Sequence, residues 1–406
     1  MAAAAGPGAG MKWFCTQLHQ LHDPSVEVWA GTPGPATEVP ARVEMIAAAL
    51  DGDAAFTAGE VREHGRDPIE QVHEPALIRW LESAWAECRP HSAYPEIFPD
   101  TVRHAGMMEG LADQAEPTSS PLARLGYWCF DTMTPMVEGT YQAARGAVDV
   151  ALSATDAVLS GDRAAYALCR PPGHHAARSA IGGFCYFNNA AVAASAMLEA
   201  SGGPVAILDV DYHHGNGTQQ IFYDRAEVLY VSLHGDPDRA FPYYTGRTAE
   251  TGTGKGSGAT RNFPLAARCT DQEYLAVLGT ALDVIAASGA SGLVVSLGLD
   301  TYELDAICDL GLTREGFWRI GRQVERLGLP TVIVQEGGYH LAHLGINARS
   351  WLAGFMGAEP GPAGPRRPER PGESRPARHL LSQTARSSRG NLQITRNGLS
   401  ARQSGR

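Results

Sequence analysis

The chain has 406 residues, 44% of them hydrophobic and 19% charged, with a formal net charge of -11; this is enough apolar material for one large core, and α/β enzymes of this size commonly stay a single domain. Its seven cysteines (Cys15, Cys88, Cys129, Cys169, Cys185, Cys269 and Cys308) are odd in number and scattered without a paired metal spacing, which argues against a secreted disulfide scaffold and for a reducing, cytoplasmic compartment. No apolar run is long enough to cross a membrane, and the acidic balance speaks against direct nucleic-acid binding by the body of the chain.

Residues 1–10 lack the basic start and apolar run of a signal peptide and are expected to be a disordered extension of a domain spanning 11–358. Cys88 to Pro121, rich in Pro, His, Met and acidic residues, reads as a long loop excursion, and loops of that length inside a compact domain are usually functional. Apolar strands are expected at 165–169, 205–211, 228–234, 293–297 and 331–335. Asn188 is placed to cap an Ala-rich helix that stops near Ser201-Gly-Gly203, and further helices are expected over 271–287 and 313–327. This β, α, β order predicts a three-layer α/β/α fold on a mainly parallel sheet. From Glu359 to Arg406 ten arginines face three glutamates, which leaves the rest of the chain at -18. That Arg- and Pro-rich tail is expected to be disordered.

The run Asp209-Val-Asp-Tyr-His-His-Gly-Asn-Gly217 closes one of the apolar strands. In an extended backbone side chains alternate, so Asp209, Asp211 and His213 share a face while Val210 and Tyr212 pack behind them. Burying two carboxylates without a cation or firm partners is costly. An Asp-x-His pair suits zinc or another divalent first-row metal if a third ligand arrives from elsewhere. Three more clusters end strands: Cys169-Arg-Pro-Pro-Gly-His-His175, Leu297-Gly-Leu-Asp300 and Gln335-Glu-Gly-Gly-Tyr339. Singly, a His-His pair, an Asp after a strand and a Gly-Gly-Tyr turn are ordinary features. Together they mark one pocket, because open parallel sheets bind ligands outside the carboxyl ends of their strands.

In these motifs, with Gly182-Gly-Phe-Cys-Tyr-Phe-Asn-Asn189 and Ser232-Leu-His-Gly-Asp-Pro237, the chain resembles the histone deacetylase superfamily from about Lys12 to Gly357. Within it the chain is most similar to the bacterial acetylpolyamine amidohydrolases, which share their fold with the arginases. The resemblance implies one zinc held by Asp211, His213 and Asp300, and a structural potassium held by the Asp209 carboxylate, the Ser232 hydroxyl and the carbonyls of Asp211, His213 and Leu233. It further implies His175 as general base and then acid, His174 as its electrostatic neighbour, and Tyr339 as oxyanion donor. Asp209 and Asn216 would orient His174 and His175, and Phe184 and Phe241 would wall a narrow tunnel. A homodimer built partly by the 88–121 region is also implied. Polyamine-preferring members carry two glutamates at the tunnel mouth; an ungapped reading sets Leu122 and Met133 there, with Glu116 and Asp131 nearby as substitutes.

The function expected is zinc-dependent removal of acetyl groups from small acetylated amines. Deacetylation of acetyl-lysine in proteins is the alternative, to be separated by the openness of the mouth, and a non-catalytic acetyl-ligand binder is another, which a missing catalytic group would mark. None is missing. A manganese hydrolase of the related arginase fold needs more carboxylates than this site supplies.

Overall fold

Ile207 packs in one apolar cluster and its neighbours Ala206 and Leu208 in another. The alternation of an extended chain therefore builds two cores from one continuous apolar run, as expected of a strand covered on both faces. The computed structural model describes residues 10–104, 106 and 119–360; the rest of the expected extension, and the tail beyond residue 360, lie outside the described residues. The strands are β1 (Met11–Phe14), β2 (Val26–Trp29), β3 (Thr32–Pro35), β4 (Phe56–Ala58), β5 (Ala164–Ala167), β6 (Val205–Asp209), β7 (Val228–Gly235), β8 (Thr260–Leu265), β9 (Gly292–Leu297) and β10 (Thr331–Gln335). The helices are α1 (Ala41–Asp51), α2 (Asp67–Glu70), α3 (Pro75–Cys88), α4 (Pro121–Trp128), α5 (Thr140–Leu159), α6 (Asn189–Ser201), α7 (Asn216–Phe222), α8 (Asp271–Ala287), α9 (Arg314–Glu325) and α10 (Leu341–Met356).

The main sheet has eight strands in the order β4-β1-β5-β10-β9-β6-β7-β8, every pair of them parallel. Helices α3 to α6 contribute to the core on one face, and α1, α8, α9 and α10 to the core on the other. The expected α/β/α fold is thus observed. The four strands that the sequence ends on polar clusters, β5, β10, β9 and β6, are consecutive in the sheet.

Local chemistry sets the helix ends. Asn188 accepts from the Ala191 amide and caps α6; Thr270 and Glu273 form a reciprocal capping box on α8. Strand β6 stops at Asp209 rather than running to Asp211, although the ladder extends one bond further through Val210 N and Ser296 O at 3.0 Å. The chain bends there because Asp211 and His213 are bound into the site instead. Strands β1, β4 and β8 were not expected. β8 carries Pro264 and half-exposed Arg261 and Phe263, a pattern that only an edge strand tolerates. In the 88–121 region, a short 3-10 turn at Arg89–His91 and a bridge between Ile97 and Met136 are seen; residues 105 and 107–118 lie outside the described residues. No helix among the described residues is long and apolar enough to cross a membrane.

Helices α9 and α10 approach closely through two glycines: a Cβ on Gly321 would stand 2.1 Å from the Trp351 carbonyl oxygen, and one on Gly354 2.0 Å from that of Trp318. In an open helix Gly to Ala gains about 1 kcal/mol. Here Gly354→Ala is expected instead to cost about 1 to 3 kcal/mol as the helices are forced apart, read as a lowered Tm in thermal unfolding. A raised Tm would disprove the close packing.

Candidate active site

The carboxyl ends of β5, β10, β9 and β6 bring together Asp209, Asp211, Asp300 and Glu336, all 0% exposed. Such burial requires partners for each carboxylate. Asp211 Oδ2 accepts from the Gly337 amide at 2.8 Å, and Asp300 Oδ1 from the Tyr212 amide at 2.9 Å. Glu336 Oε2 accepts from the Gly173 and His174 amides, so it fastens the His174-His175 turn to β10. The remaining oxygens face imidazoles. His213 Nδ1 lies 3.2 Å from Asp211 Oδ1 and 3.1 Å from Asp300 Oδ2. His174 Nδ1 lies 3.1 Å from Asp209 Oδ2, which also accepts from Tyr230 Oη at 3.0 Å.

The Asp211-His213-Asp300 set fits a divalent metal. One ring nitrogen carries a single proton, yet here it faces two carboxylate oxygens at nearly equal distance. Ligand atoms on a tetrahedral ion with bonds of about 2.0–2.1 Å stand about 3.3 Å apart, close to the separation of His213 Nδ1 from each of the two carboxylates. Electrostatics agree. Burial opposes charging His213, but hydrogen bonds to Asp211 and Asp300 overcome it and lift its pKa to about 9. Burial and the charge of Asp211 push Asp300 up to about 7. The site thus calls for positive charge where the three donors meet.

Both histidines of the His-His pair enter the same cavity, their rings 4.1 Å apart. Burial disfavours a charge on His174, but Asp209 and Asp211 outweigh it and raise its pKa to about 10. Burial, with His174 and His213, holds His175 well below the ordinary imidazole value. His175 Nδ1 donates to Asn216 Oδ1 at 2.7 Å, which leaves the Nε2 lone pair free. The surroundings thus drive His174 toward its charged form and His175 toward its neutral one.

Phe241 packs edge-on against His175 and His213 at 4.9 and 6.2 Å. Phe184 stands 6.0 Å from the Tyr339 ring and 6.4 Å from Trp29. The two phenylalanines thus flank the histidines and the phenol. Phe184 has φ +67°, a strained conformation for a residue with a side chain, and its amide is held by Thr134 Oγ1.

Two of the expected potassium ligands are neighbours. Asp209 and Ser232 are cross-strand partners. His234 Nε2 donates to the Gly246 carbonyl, so its Nδ1 accepts the Ser232 proton at 2.7 Å and both Ser232 lone pairs stay available. Among the described residues no hydrogen bond reaches the carbonyls of Asp211 or His213. Orphaned buried carbonyls beside a carboxylate suit a monovalent cation.

At the mouth, one expectation fails. Asp131 does not substitute for a substrate-facing carboxylate: its Oδ1 accepts from Met133 N, Thr134 N and Thr134 Oγ1, and its Oδ2 from Gly183 N. It spends its charge on the loop that carries Phe184. Met133 is buried and Leu122 packs on the core; Glu116 lies outside the described residues.

Several site residues were not read from the sequence. Buried Arg42 donates to the carbonyls of Gly338 and Glu336 and lies 4.8 Å over the Tyr339 ring. Glu38 Oε1 bridges Arg42 and Arg170. The Glu38-Arg42 spacing of four was a visible signal, but on a surface helix it means little. Asp305 Oδ2 takes the Tyr339 and His340 amides. The Sγ of Cys308 lies within 4.8 Å of ligand atoms of His213 and Asp300.

Residues 36–355 match the histone deacetylase domain. The chain is 43% identical over 346 residues to acetylpolyamine amidohydrolase 2 of Pseudomonas aeruginosa, covering 84% of this chain and 97% of that protein. It is 37% identical over 359 residues to the acetylpolyamine amidohydrolase of Mycoplana ramosa, covering 86% of this chain and 100% of that protein. A crystal structure of the acetylpolyamine aminohydrolase from Burkholderia pseudomallei superposes with a TM-score of 0.80 at 37% identity, over 85% of this chain and 98% of that one.

Asp131→Asn would set an amide donor against the Gly183 amide in place of an acceptor. The expected loss is about 1 to 3 kcal/mol, measured by thermal unfolding. An unchanged Tm would mean that the carboxylate does not hold this loop.

Proposed function

The chain belongs to the histone deacetylase family, and from that premise we propose that it is a zinc-dependent amidohydrolase that removes acetyl groups from small acetylated amines. One observation carries the reading: the Asp211 and Asp300 carboxylates each come within 3.2 Å of His213 Nδ1, beside the His175 ring and a phenol and behind a pair of phenylalanines. When bound, zinc supplies a Lewis acid that polarises the acetyl carbonyl and makes water attack feasible near neutral pH.

The chain's own residues do the rest. His175 Nε2 takes the proton of the attacking water and returns it to the leaving amine. The Nδ1 bond to Asn216 fixes the tautomer that permits this. His174, kept cationic by Asp209 and Asp211, offsets the negative charge that develops. Tyr339 donates its hydroxyl to the oxyanion, while Asp305 and Arg42 hold its backbone and the preceding turn. Phe184 and Phe241 flank the methylene stem of the substrate and exclude water. Potassium at Asp209 and Ser232 would stiffen the strand end that carries the zinc ligands.

A second reading has its own observation. With Leu122 and Met133 apolar and Asp131 engaged, the described mouth lacks those carboxylates that would attract a distant ammonium, which favours less charged amines or acetyl-lysine side chains. The deciding assay is kcat/KM by acetate release for acetylated putrescine, cadaverine and spermidine beside an acetyl-lysine peptide. Preference for the small amines supports the first reading, and preference for the peptide replaces it.

Tyr339→Phe is expected to lower kcat by about 100-fold or more while zinc content stays full; unaltered kcat would remove the phenol from the reaction. Asp300→Ala is expected to lose zinc as measured by metal analysis. The general base must be neutral to act, and His175 is held below its ordinary value of 6.5. The acid limb of kcat/KM should therefore fall below pH 6.5. A limb above that value, moved by His175→Ala, would contradict the assignment.

A further inference from the structure

Two rows of aromatic rings lead away from the reacting groups. One runs from Tyr339 to Phe184 at 6.0 Å and on to Trp29 at 6.4 Å, each pair edge to face. The other runs from His175 to Phe241 at 4.9 Å and on to Tyr243 at 6.3 Å. His175 and Phe184 are buried, whereas Trp29 is half-buried and Tyr243 is 45% exposed, so each row ends on a ring that solvent reaches. Trp29 is firmly held. It closes β2 just before a two-residue turn in which Ala30 and Gly31 have φ of +48° and +77°, the geometry of a tight hairpin. Glu27 and Trp29 share a face of the strand, and the indole Nε1 donates to Glu27 Oε1 at 2.6 Å. Glu27 is 2% exposed, and its carboxylate also accepts from the amide and hydroxyl of Thr37 beyond β3. A carboxylate that accepts the indole N–H fixes the ring and leaves its face richer in electrons.

We propose that Trp29 selects the protonated amine of an acetylated diamine through a cation–π contact. The inference rests on the small-amine reading above and names the residue that tells such a substrate from a neutral amide. Leu122 and Met133 offer no charge, and Asp131 is taken up by Met133, Thr134 and Gly183. An ammonium can instead be held by the face of an aromatic ring, and tryptophan holds it most strongly. With the acetyl carbonyl beside Tyr339 and the methylene stem along Phe184, the ammonium comes to Trp29, the next ring of the same row. The neighbouring rings keep water from the cation and so strengthen the contact.

The test compares two amides of equal length on the zinc-loaded full chain: acetylated putrescine, and N-pentylacetamide, in which a methyl group stands in place of the ammonium. Trp29→Leu is expected to lower kcat/KM for acetylated putrescine by about 3- to 30-fold relative to N-pentylacetamide, the span of a cation–π contact. The loss should fall on KM rather than kcat, because the ring is remote from the bond that breaks. Trp29→Phe keeps a ring and is expected to recover part of the loss. Turnover of N-pentylacetamide reports that each variant is folded and holds its metal. Equal losses for the two amides, or equal losses in Trp29→Leu and Trp29→Phe, would overturn the assignment and leave the deacetylase reading intact. If wild type hydrolysed neither amide, the small-amine reading would fail and this inference with it.

Discussion

Four carboxylates gathered without exposure at the ends of adjacent strands are the constraint from which the rest of this structure follows. Like charges in a low-dielectric interior repel strongly and lose their hydration. The fold answers with two kinds of compensation. Backbone amides of Tyr212, Gly337, Gly173 and His174 point at individual oxygens, and imidazoles fill the directions that remain. The parallel sheet makes this possible, because its central strands all end on one side and deliver their polar residues to one place. Catalytic power and structural cost have the same origin: the groups that would hold a dication are those whose burial is otherwise unfavourable.

The same logic separates two adjacent histidines into different chemical species. His174 meets a carboxylate through Nδ1, and His175 meets an amide. Burial acts on both. The partner helps decide which ring keeps its charge, so a single carboxylate-to-amide difference between Asp209 and Asn216 drives the two rings toward opposite charge states.

Much of this was legible in the sequence because it obeys short-range rules. The alternation of Asp209, Asp211 and His213, the cap at Asn188 and the glycine-terminated strands all follow from local geometry, and strand ends sharing one sheet edge follow from parallel topology. Long-range placement was not legible. Nothing local says that Arg42 of α1 reaches the carbonyls of Glu336 and Gly338, or that Cys308 lies near His213 and Asp300. Asp131 was misjudged for a related reason: its sequence position suggested a free charge at the mouth, whereas turn amides and Gly183 consume it. Strands β1, β4 and β8 are short or proline-bearing, and pairing rather than pattern defines them.

Glu38 ties together pieces far apart in the chain. Its carboxylate joins Arg42, which clasps the Tyr339 turn, to Arg170, which also reaches the His19 carbonyl. The match to the histone deacetylase domain model starts at residue 36, yet β1 at residues 11–14 sits between β4 and β5 inside the sheet. Residues 11–14 therefore belong to the folded sheet although they precede the matched segment. Excision at the similarity boundary would pull out an interior strand and leave β5 with a raw edge. The unit that folds is larger than the segment the family model matches.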